Sequence, residues 1–425
     1  MPRRRSGLTD RTLGTAAAGS AAIVLAVAAA AGCQAGQTDI GCQITRQIVL
    51  PDTTPLPLLS QIRIDRLGDG LVIFGADATA VRWTVIDAAG TVGAEQAVAL
   101  PAGTLHAYYA AAGATAPGDT VIVGALVPAA NGTDADLRFF ASPIDDGTAA
   151  GVLGTPVVTF GGGADPRNAL PMIAMGTSAT AMYAGAAWLD PASGLPSYAF
   201  IDGQAQTVGQ TAFVESEAAS SYSCLGFSPG KQELTISYQK GPVDPVTGPT
   251  WLIADVQVGG VVSLLKLNVA QPNGTMGCAH SVLYDPMTTG ASPEYAIVWQ
   301  DPSGSWLSVY YGAATGVVKS FPFASSTDFG GPDLQPPLVG VAAFNSDFGV
   351  LVQRPHSVEM WRVDRAGNRR SGSLIYPSLE GNISGASAVA RPDPMVAGQN
   401  LLSSTYADLT GMGMGRRLVV DAACY

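Results

Sequence analysis

Three features of the sequence predict an all-β fold built from a repeated small sheet. The apolar segments are short, rich in Val, Ile, Tyr, Phe and Trp, and bounded by Gly, Pro, Asp or Asn, which is typical of strands. After residue 42 no stretch keeps an apolar period of 3.6 residues, so we expect few helices. One type of strand recurs at spacings of 53–59 residues, which indicates a repeat protein.

The recurring strand has an aromatic residue near its start and ends at Asp or Gly before a tight turn. Its marker positions are Trp83, Phe139, Tyr198, Trp251, Trp306, Trp361 and, in seventh place, Arg417. A small-residue strand and a second strand precede each marker, as in 340–344 and 348–352, and an outer strand follows, as in 316–321. Four antiparallel strands repeated seven times predict a seven-bladed β-propeller over residues 42–425, in which each blade packs only on its neighbours.

The last repeat contains only three strands, from about Ser384 through 401–406 to 417–422. An incomplete sheet leaves an unpaired edge. Residues 43–50 alternate like a strand and belong to no complete early repeat. We therefore expect them to add the missing outer strand beside 417–422 and so to close the ring.

Four cysteines follow Cys33, and an even number in an exported chain favours disulfides, with three possible pairings. Cys42 directly precedes the donated strand and Cys424 follows its expected partner, so we predict a Cys42–Cys424 clasp. Cys224 and Cys278 hold near-equivalent places on adjacent inner strands, which favours a second bond. The alternative is that both are buried free thiols.

The N-terminus has the pattern of a targeting segment. Residues 1–12 carry four Arg, residues 13–31 are apolar and rich in Ala, and Ala30-Ala31-Gly32-Cys33 follows. This ending resembles the lipobox of bacterial lipoproteins, although Ala30 stands where that family usually has Leu. The resemblance implies a signal peptide over 1–32, a lipidated Cys33 and a linker over 33–41. The alternative is an uncleaved membrane helix.

Composition and charge narrow the possible partners. With 47% hydrophobic and 13% charged residues the chain is able to bury a core, and the net charge of −11 argues against a nucleic-acid partner. We expect a monomer in the cell envelope, held at a membrane by lipid on Cys33. In a host with two membranes, Gln34 after the Cys resembles outer-membrane sorting, with the domain facing the periplasm or the outside.

Aromatic residues and carboxylates are predicted to share one end of the blades. Trp188, Tyr238, Trp299 and Tyr406 each lie a few residues before a polar turn. The blade-to-blade connections at the same end supply Asp165, Glu215, Glu217, Asp328, Asp333 and Glu380. Such a surface would suit a glycan, a peptide or another protein, and the alternative is ordinary packing between blades.

Few other residues suggest chemistry. His106 and His280 fall near the starts of innermost strands and are candidates for the central channel, although a structural role is the more common one. The segments 190–194, 244–248 and 301–304 begin with Asp-Pro and contain Gly, which is turn chemistry, and they lack the ligand spacing of a calcium loop. We expect no metal and no cofactor.

These features predict a non-enzymatic binding or interaction scaffold that uses one face of the propeller. No nucleophile elbow, phosphate loop or His-Glu-x-x-His motif is present. The alternative is an extracytoplasmic hydrolase or lyase acting on carbohydrate, in which two of the carboxylates form an acid–base pair.

Overall fold

The fold is described from a computed structural model of the chain. The description covers residues 41–50, 62–112, 119–145, 154–161, 173–177, 182–217, 222–229, 234–241, 250–268, 277–283, 294–300, 306–312, 317–324, 338–344, 347–353, 358–364, 369–370, 372–376, 382–396, 399–409 and 415–424.

The described strands form seven four-stranded sheets, which we number in chain order. Sheet 1 consists of β2 (Arg63–Leu67), β3 (Gly70–Ala76), β4 (Ala80–Ile86) and β5 (Gln96–Ala99). Sheet 2 consists of β6 (His106–Ala112), β7 (Thr120–Pro128), β8 (Ala135–Pro143) and β9 (Val158–Phe160). Sheet 3 consists of β10 (Ile173–Thr177), β11 (Ala184–Leu189), β12 (Pro196–Ile201) and β13 (Thr207–Phe213). Sheet 4 consists of β14 (Tyr222–Pro229), β15 (Leu234–Lys240), β16 (Thr250–Gln257) and β17 (Gly260–Asn268).

The remaining three sheets continue the same order. Sheet 5 consists of β18 (Gly277–Leu283), β19 (Glu294–Gln300), β20 (Trp306–Gly312) and β21 (Val317–Ala324). Sheet 6 consists of β22 (Leu338–Phe344), β23 (Asp347–Gln353), β24 (Val358–Val363) and β25 (Leu374–Tyr376). Sheet 7 consists of β26 (Asn382–Pro392), β27 (Asn400–Leu409), β28 (Gly415–Cys424) and β1 (Cys42–Leu50).

The predicted all-β class and the four-stranded antiparallel sheets are confirmed, and the fold is propeller-like. All seven marker positions fall in the third strand of their sheets, and the strands expected before and after them are present. The first strands of successive sheets contact one another in chain order, and β26 of sheet 7 contacts β2 of sheet 1. The described residues contain no helix, and so none that is long and apolar enough to cross a bilayer.

Sheet 7 joins the two ends of the described chain, as the sequence predicts. Strand β1 pairs with β28 in antiparallel register, from Cys42 opposite Cys424 to Leu50 opposite Arg417. The register shifts once, between Ile44 and Arg46. The predicted Cys42–Cys424 disulfide is confirmed and links residues that lie 382 positions apart in the sequence.

A buried polar ladder crosses all four strands of sheet 7. The Asp421 carboxylate of β28 accepts hydrogen bonds from Arg46 Nε of β1 (2.6 Å), Arg391 Nη2 of β26 (2.7 Å) and Ser403 Oγ of β27 (2.6 Å). Arg391 Nε also donates to Ser403 Oγ at 2.9 Å. Burial raises the pKa of Asp421, while the charge of Arg46 and the Ser403 hydroxyl oppose that shift.

Sheet 7 is also tied to sheet 1 by polar contacts. Arg417 of β28 pairs with Glu95, just before β5. Arg391 Nη1 lies 3.4 Å from the carbonyl oxygen of Asp69 in the β2–β3 turn. Gly90 of the β4–β5 turn has a φ of 91°, which favours Gly, and a Cβ there would lie 1.9 Å from Arg46 Nη1 and so displace the Arg46 guanidinium.

The core consists of side-chain layers between neighbouring sheets. One layer, for example, joins Phe139 of β8 and Met175 of β10 to Trp188 of β11, and so binds sheet 2 to sheet 3. Another joins Tyr376 of sheet 6 to Tyr406 of sheet 7. In sheets 1, 2, 3 and 7 both faces are therefore buried, since each face packs against a different neighbour.

We expect Cys42→Ser and Cys424→Ser to lower the free energy of unfolding by about 4–5 kcal/mol, because the bond closes a very long loop in the unfolded chain. Guanidinium unfolding under oxidising conditions measures this. The double variant should match either single one, and reductant should lower the stability of the wild type by at least as much. A wild type that is insensitive to reductant would contradict the assignment.

Candidate ligand-binding site at the crossing between sheets 3 and 4

The candidate site lies where the chain passes from β13 of sheet 3 to β14 of sheet 4. We call this end of the sheets the crossing end. The β11–β12 turn lies at the same end, because Phe213, the last residue of β13, pairs with Ser197 near the start of β12. The backbone N–H of Val214 continues this pairing and donates to the Pro196 carbonyl at 2.8 Å.

A buried carboxylate forms the centre of the site. Glu215 lies on the crossing segment, and Tyr238 and Lys240 lie at the end of β15. Glu215 Oε2 accepts from Lys240 Nζ at 2.7 Å, and Glu215 Oε1 accepts from the Tyr238 hydroxyl at 3.0 Å. Lys240 Nζ also donates to the carbonyl oxygen of Glu217 at 2.9 Å. Both oxygens of this carboxylate are therefore bonded within the chain.

Tyr222, the first residue of β14, covers this carboxylate from the solvent side. Its ring packs edge-on against the ring of Tyr238, with centroids 5.8 Å apart. Its hydroxyl lies 3.3 Å from Glu215 Oε1 and 3.2 Å from the Glu217 carbonyl oxygen. Burial, with the negative charge of Glu215, raises the pKa of Tyr238, so this phenol stays protonated as a donor.

Three side chains of the same site reach solvent. Phe213 is 51% exposed, Glu217 is exposed and Tyr222 is half-buried. We call these three residues the crossing surface. An exposed aromatic ring, a second partly exposed ring and a carboxylate are suited to stack on a sugar or to bind a cationic group.

The sequence placed the aromatic part of the ligand face on the second strands, and this is wrong for three of the four residues. Tyr238 and Tyr406 are 0% exposed and Trp188 is 1% exposed. Each packs in a layer between two sheets. The physical reason is that a second strand has neighbours on both sides within its sheet and another sheet against each face.

Several other predicted residues lie outside the described part of the chain. These are Cys33, Asp165, Asp328, Asp333, Glu380, the turns 244–248 and 301–304, and the side chains of Cys224, Cys278, His280 and Trp299. The second disulfide and the roles of His280 and Trp299 therefore stay predictions. The backbones of Cys224 and Cys278 lie on β14 and β18, two first strands that contact each other.

Of the three predicted Asp-Pro turns, the one over 190–194 is described and has the predicted turn chemistry. Asp190 Oδ2 accepts from the backbone N–H of Ser193 at 2.8 Å and from its hydroxyl at 2.6 Å. Gly194 has a φ of 69°, which favours Gly. Within the described ranges, no group of three His, Cys, Asp or Glu side chains is placed to hold a metal ion.

His106 begins the first strand of sheet 2, as predicted, and its role in the central channel stays a prediction. Every second residue of a strand shares a face, so the His106 side chain lies on the same face of β6 as Tyr108 and Ala110. This face packs on sheet 3. The rings of His106 and Tyr108 lie 4.7 Å apart. Burial lowers the pKa of His106, so its imidazole is neutral near pH 7.

The inner strands of sheets 1, 2 and 3 are joined by a second buried carboxylate. Asp65 of β2 accepts from Arg63 Nε at 2.6 Å, from the backbone N–H of Ala111 in β6 at 3.3 Å and from the Thr177 hydroxyl of β10 at 3.0 Å. Arg63 also donates to the carbonyl oxygen of Met175 in β10. Polar groups of three sheets thus converge at their inner strands.

Sequence reasoning did not find Phe213 or Tyr222. Phe213 precedes and Tyr222 follows the acidic crossing 214–217. Their positions on either side of Glu215 and Glu217 were the sequence feature that could have identified them. It did name Glu215 and Tyr238, and the structure brings these two residues into direct contact.

No protein-family model and no curated protein matches this chain. Polysaccharide lyase Uly1 is similar in structure at 10% identity, with 88% of this chain and 91% of that chain covered and a TM-score of 0.44. AofleA from Arthrobotrys oligospora is similar at 11% identity, with 79% and 90% covered and a TM-score of 0.42. A subtype N10 neuraminidase-like protein of A/little yellow-shouldered bat/Guatemala is similar at 8% identity, with 74% and 93% covered and a TM-score of 0.42. Likeness at this level assigns no activity.

We expect Lys240→Met to destabilise the fold by about 3–5 kcal/mol, because it leaves the buried Glu215 carboxylate without its cation. Chemical denaturation at pH 7 measures the loss. Lys266→Met, at an exposed lysine on β17, is the matched control and should change little. Adding Glu215→Gln to Lys240→Met should recover part of the loss, and a double variant no more stable than Lys240→Met would contradict the pairing.

Stability should also depend on pH through His106. Its pKa in the folded state is below the ordinary 6.5, so the unfolded chain binds more protons between these two values. The contribution of neutral His106 to the free energy of unfolding is therefore fully present above pH 6.5. It is lost as the pH falls toward the pKa of His106 in the folded state. Unfolding free energies between pH 5 and pH 7.5 should show a shallower slope for His106→Gln than for the wild type. Identical slopes would contradict this.

Proposed function

We propose that this protein is an exported lipoprotein that acts as a non-enzymatic binding scaffold. In this proposal residues 1–32 are removed, Cys33 carries lipid, and residues 42–425 form a closed ring of seven blades. The crossing end of the ring presents its surface to a glycan or a peptide.

Contacts between the inner strands support the closed ring. Each first strand contacts the first strand of the next sheet, and the series returns from β26 to β2. The core layers repeat this order, since one layer joins sheet 6 to sheet 7 and another joins sheet 7 to sheet 1. Closure covers the two sheet faces that an open series would leave exposed to water.

The Cys42–Cys424 disulfide supports export. Such bonds form and persist outside the cytosol, where thiols are not kept reduced. Cys42 lies only nine residues after Cys33 in the sequence. An export signal, a lipidation site and a disulfide therefore follow one another in the same short stretch of chain.

The observation that carries the non-enzymatic assignment is that three buried carboxylates of the described residues accept hydrogen bonds inside the protein. Glu215 and Asp421 are bonded by arginine, lysine, tyrosine or serine side chains. Asp255 accepts from the Thr235 and Ser263 hydroxyls at 2.9 Å each. A glycosidase needs two carboxyl groups that reach the substrate, one as acid and one as base or nucleophile. Carboxylates that serve as internal acceptors favour a scaffold over the hydrolase alternative.

The crossing surface is the ligand contact in this proposal. Phe213 and Tyr222 offer rings for stacking, and Glu217 offers a charge in a chain of net charge −11. Behind them the bonds among Glu215, Tyr238 and Lys240 hold the crossing segment in place. A rigid aromatic surface loses little conformational entropy on binding, which favours affinity.

We expect full-length protein to bind members of a glycan or basic-peptide array without releasing products. Phe213→Ala and Tyr222→Ala should each weaken that binding by roughly tenfold, as expected for an aromatic residue at the centre of an interface. Val262→Ala, at an exposed residue on β17, is the matched control and should bind like the wild type. Product formation that Glu215→Gln or Glu217→Gln abolishes would favour the hydrolase.

A further inference from the structure

The strongest unexplained surface feature is an exposed apolar loop in sheet 7. Met395 is 88% exposed and Val396 is 38% exposed, in the connection between β26 and β27. Asp393 Oδ1 accepts from the backbone N–H of Met395 at 2.7 Å, and Gln399 N–H donates to the Val396 carbonyl at 3.1 Å. These bonds hold the described residues 393–396 of the connection, which turns the large apolar side chain of Met395 into solvent.

The register of sheet 7 places this loop at the same end of the sheet as Cys42. Pro392 pairs with Asn400, Leu401 pairs with Ala423, and Cys424 pairs with Cys42. Four strands at about 4.8 Å spacing put the β26–β27 loop about 14 Å to the side of β1. The chain that leads back to Cys33 thus leaves the domain beside the exposed Met395.

The short linker then limits how far this end lies from the membrane. Eight residues lie between Cys33 and Cys42, so nine Cα–Cα steps join the two cysteines. Even fully extended, they reach about 30 Å. A lipid on Cys33 would therefore keep this end of sheet 7 within about 30 Å of the bilayer surface, where an exposed apolar side chain adds to membrane binding in proportion to the apolar area it buries.

We propose that the Met395–Val396 loop is a second membrane contact, and that this end of the domain rests on the lipid surface while the crossing end points away. This inference rests on the proposed lipidation of Cys33. The binding partner of this loop is the outer layer of a bilayer, which the Met395 and Val396 side chains enter. Asp69 and Asp87, both exposed on turns of sheet 1 at the same end, stay at the level of the headgroups and make a neutral membrane the better partner.

Sheet 1 offers matched control positions for a test. The β2–β3 turn lies next to Arg391 near the end of β26. Because sheet 1 is antiparallel, its β4–β5 turn with Ala89 lies at that same end and its β3–β4 turn with Ala78 lies at the opposite end. Both alanines are exposed. The described tryptophans Trp83, Trp188, Trp251 and Trp361 are at most 3% exposed, so an added surface tryptophan is distinguishable from them.

The experiment places lipidated full-length Met395→Trp, Ala89→Trp and Ala78→Trp on phosphatidylcholine vesicles with and without brominated acyl chains. Brominated lipid should lower the added emission of Met395→Trp by roughly twofold or more, because the side chain enters the acyl boundary. Ala89→Trp should be quenched less, and Ala78→Trp should match the unsubstituted protein.

The outcomes separate the two proposals. Quenching of Ala78→Trp, or none for Met395→Trp, in protein whose intact mass shows lipid on Cys33 would overturn the membrane contact alone. A mass without lipid would overturn the lipoprotein assignment and this contact with it. A Met395→Asp variant should remain folded and lipidated, yet be washed from the vesicles more readily than the wild type.

Discussion

The structure depends on sheet 7, because that sheet alone must be assembled from both ends of the described chain. Bringing residue 42 to residue 424 costs loop-closure entropy, although this cost grows only slowly with loop length. The pairing of β1 with β28 and the disulfide offset that cost. Sheet 7 also packs on sheet 6 through one core layer and on sheet 1 through another. Without β1, the edge of β28 would be open at the place where those two neighbours must be held.

The buried ladder around Asp421 determines which register this pairing adopts. Side chains alternate between the faces of a strand, so a slip by one residue would turn Arg46 away from Asp421 and leave the carboxylate without one of its cations. A buried ion pair often adds little net stability compared with apolar packing, but an unpaired buried charge costs much. The ladder is thus better explained as a device that excludes wrong registers than as a source of stability. Arg417 also helps to select this arrangement, because its side chain reaches Glu95 of sheet 1 only when β28 is in place.

The sequence was sufficient to predict the sheets because the information that defines them is local. Alternation, turn residues and the spacing of Trp83, Trp251 and Trp361 all appear within single repeats. The clasp was predictable because Cys42 and Cys424 flank the two strands that had no other partner. The exposure of Trp188 or Tyr406 was not predictable, since both faces of each sheet meet a neighbour and alternation therefore does not say which aromatic residues reach solvent. Glu215 and Lys240 lie 25 positions apart and meet only through the pairing of Tyr222 with Lys240 in sheet 4.

In the proposed function, the same strand order places the membrane-attached end and the ligand-binding end at opposite ends of the strands. In the proposed ring every first strand runs from the crossing end to the opposite end, so the chain enters sheet 7 through β1 at the opposite end, beside the β26–β27 loop. The crossing surface with Phe213 and Tyr222 lies where β13 ends and β14 begins, and hence at the far side of the ring from Cys42. A domain anchored by its first strand therefore presents its blade-to-blade crossings away from the anchor. This holds because a strand added as the outermost of four antiparallel strands must begin at the end where the third strand stops.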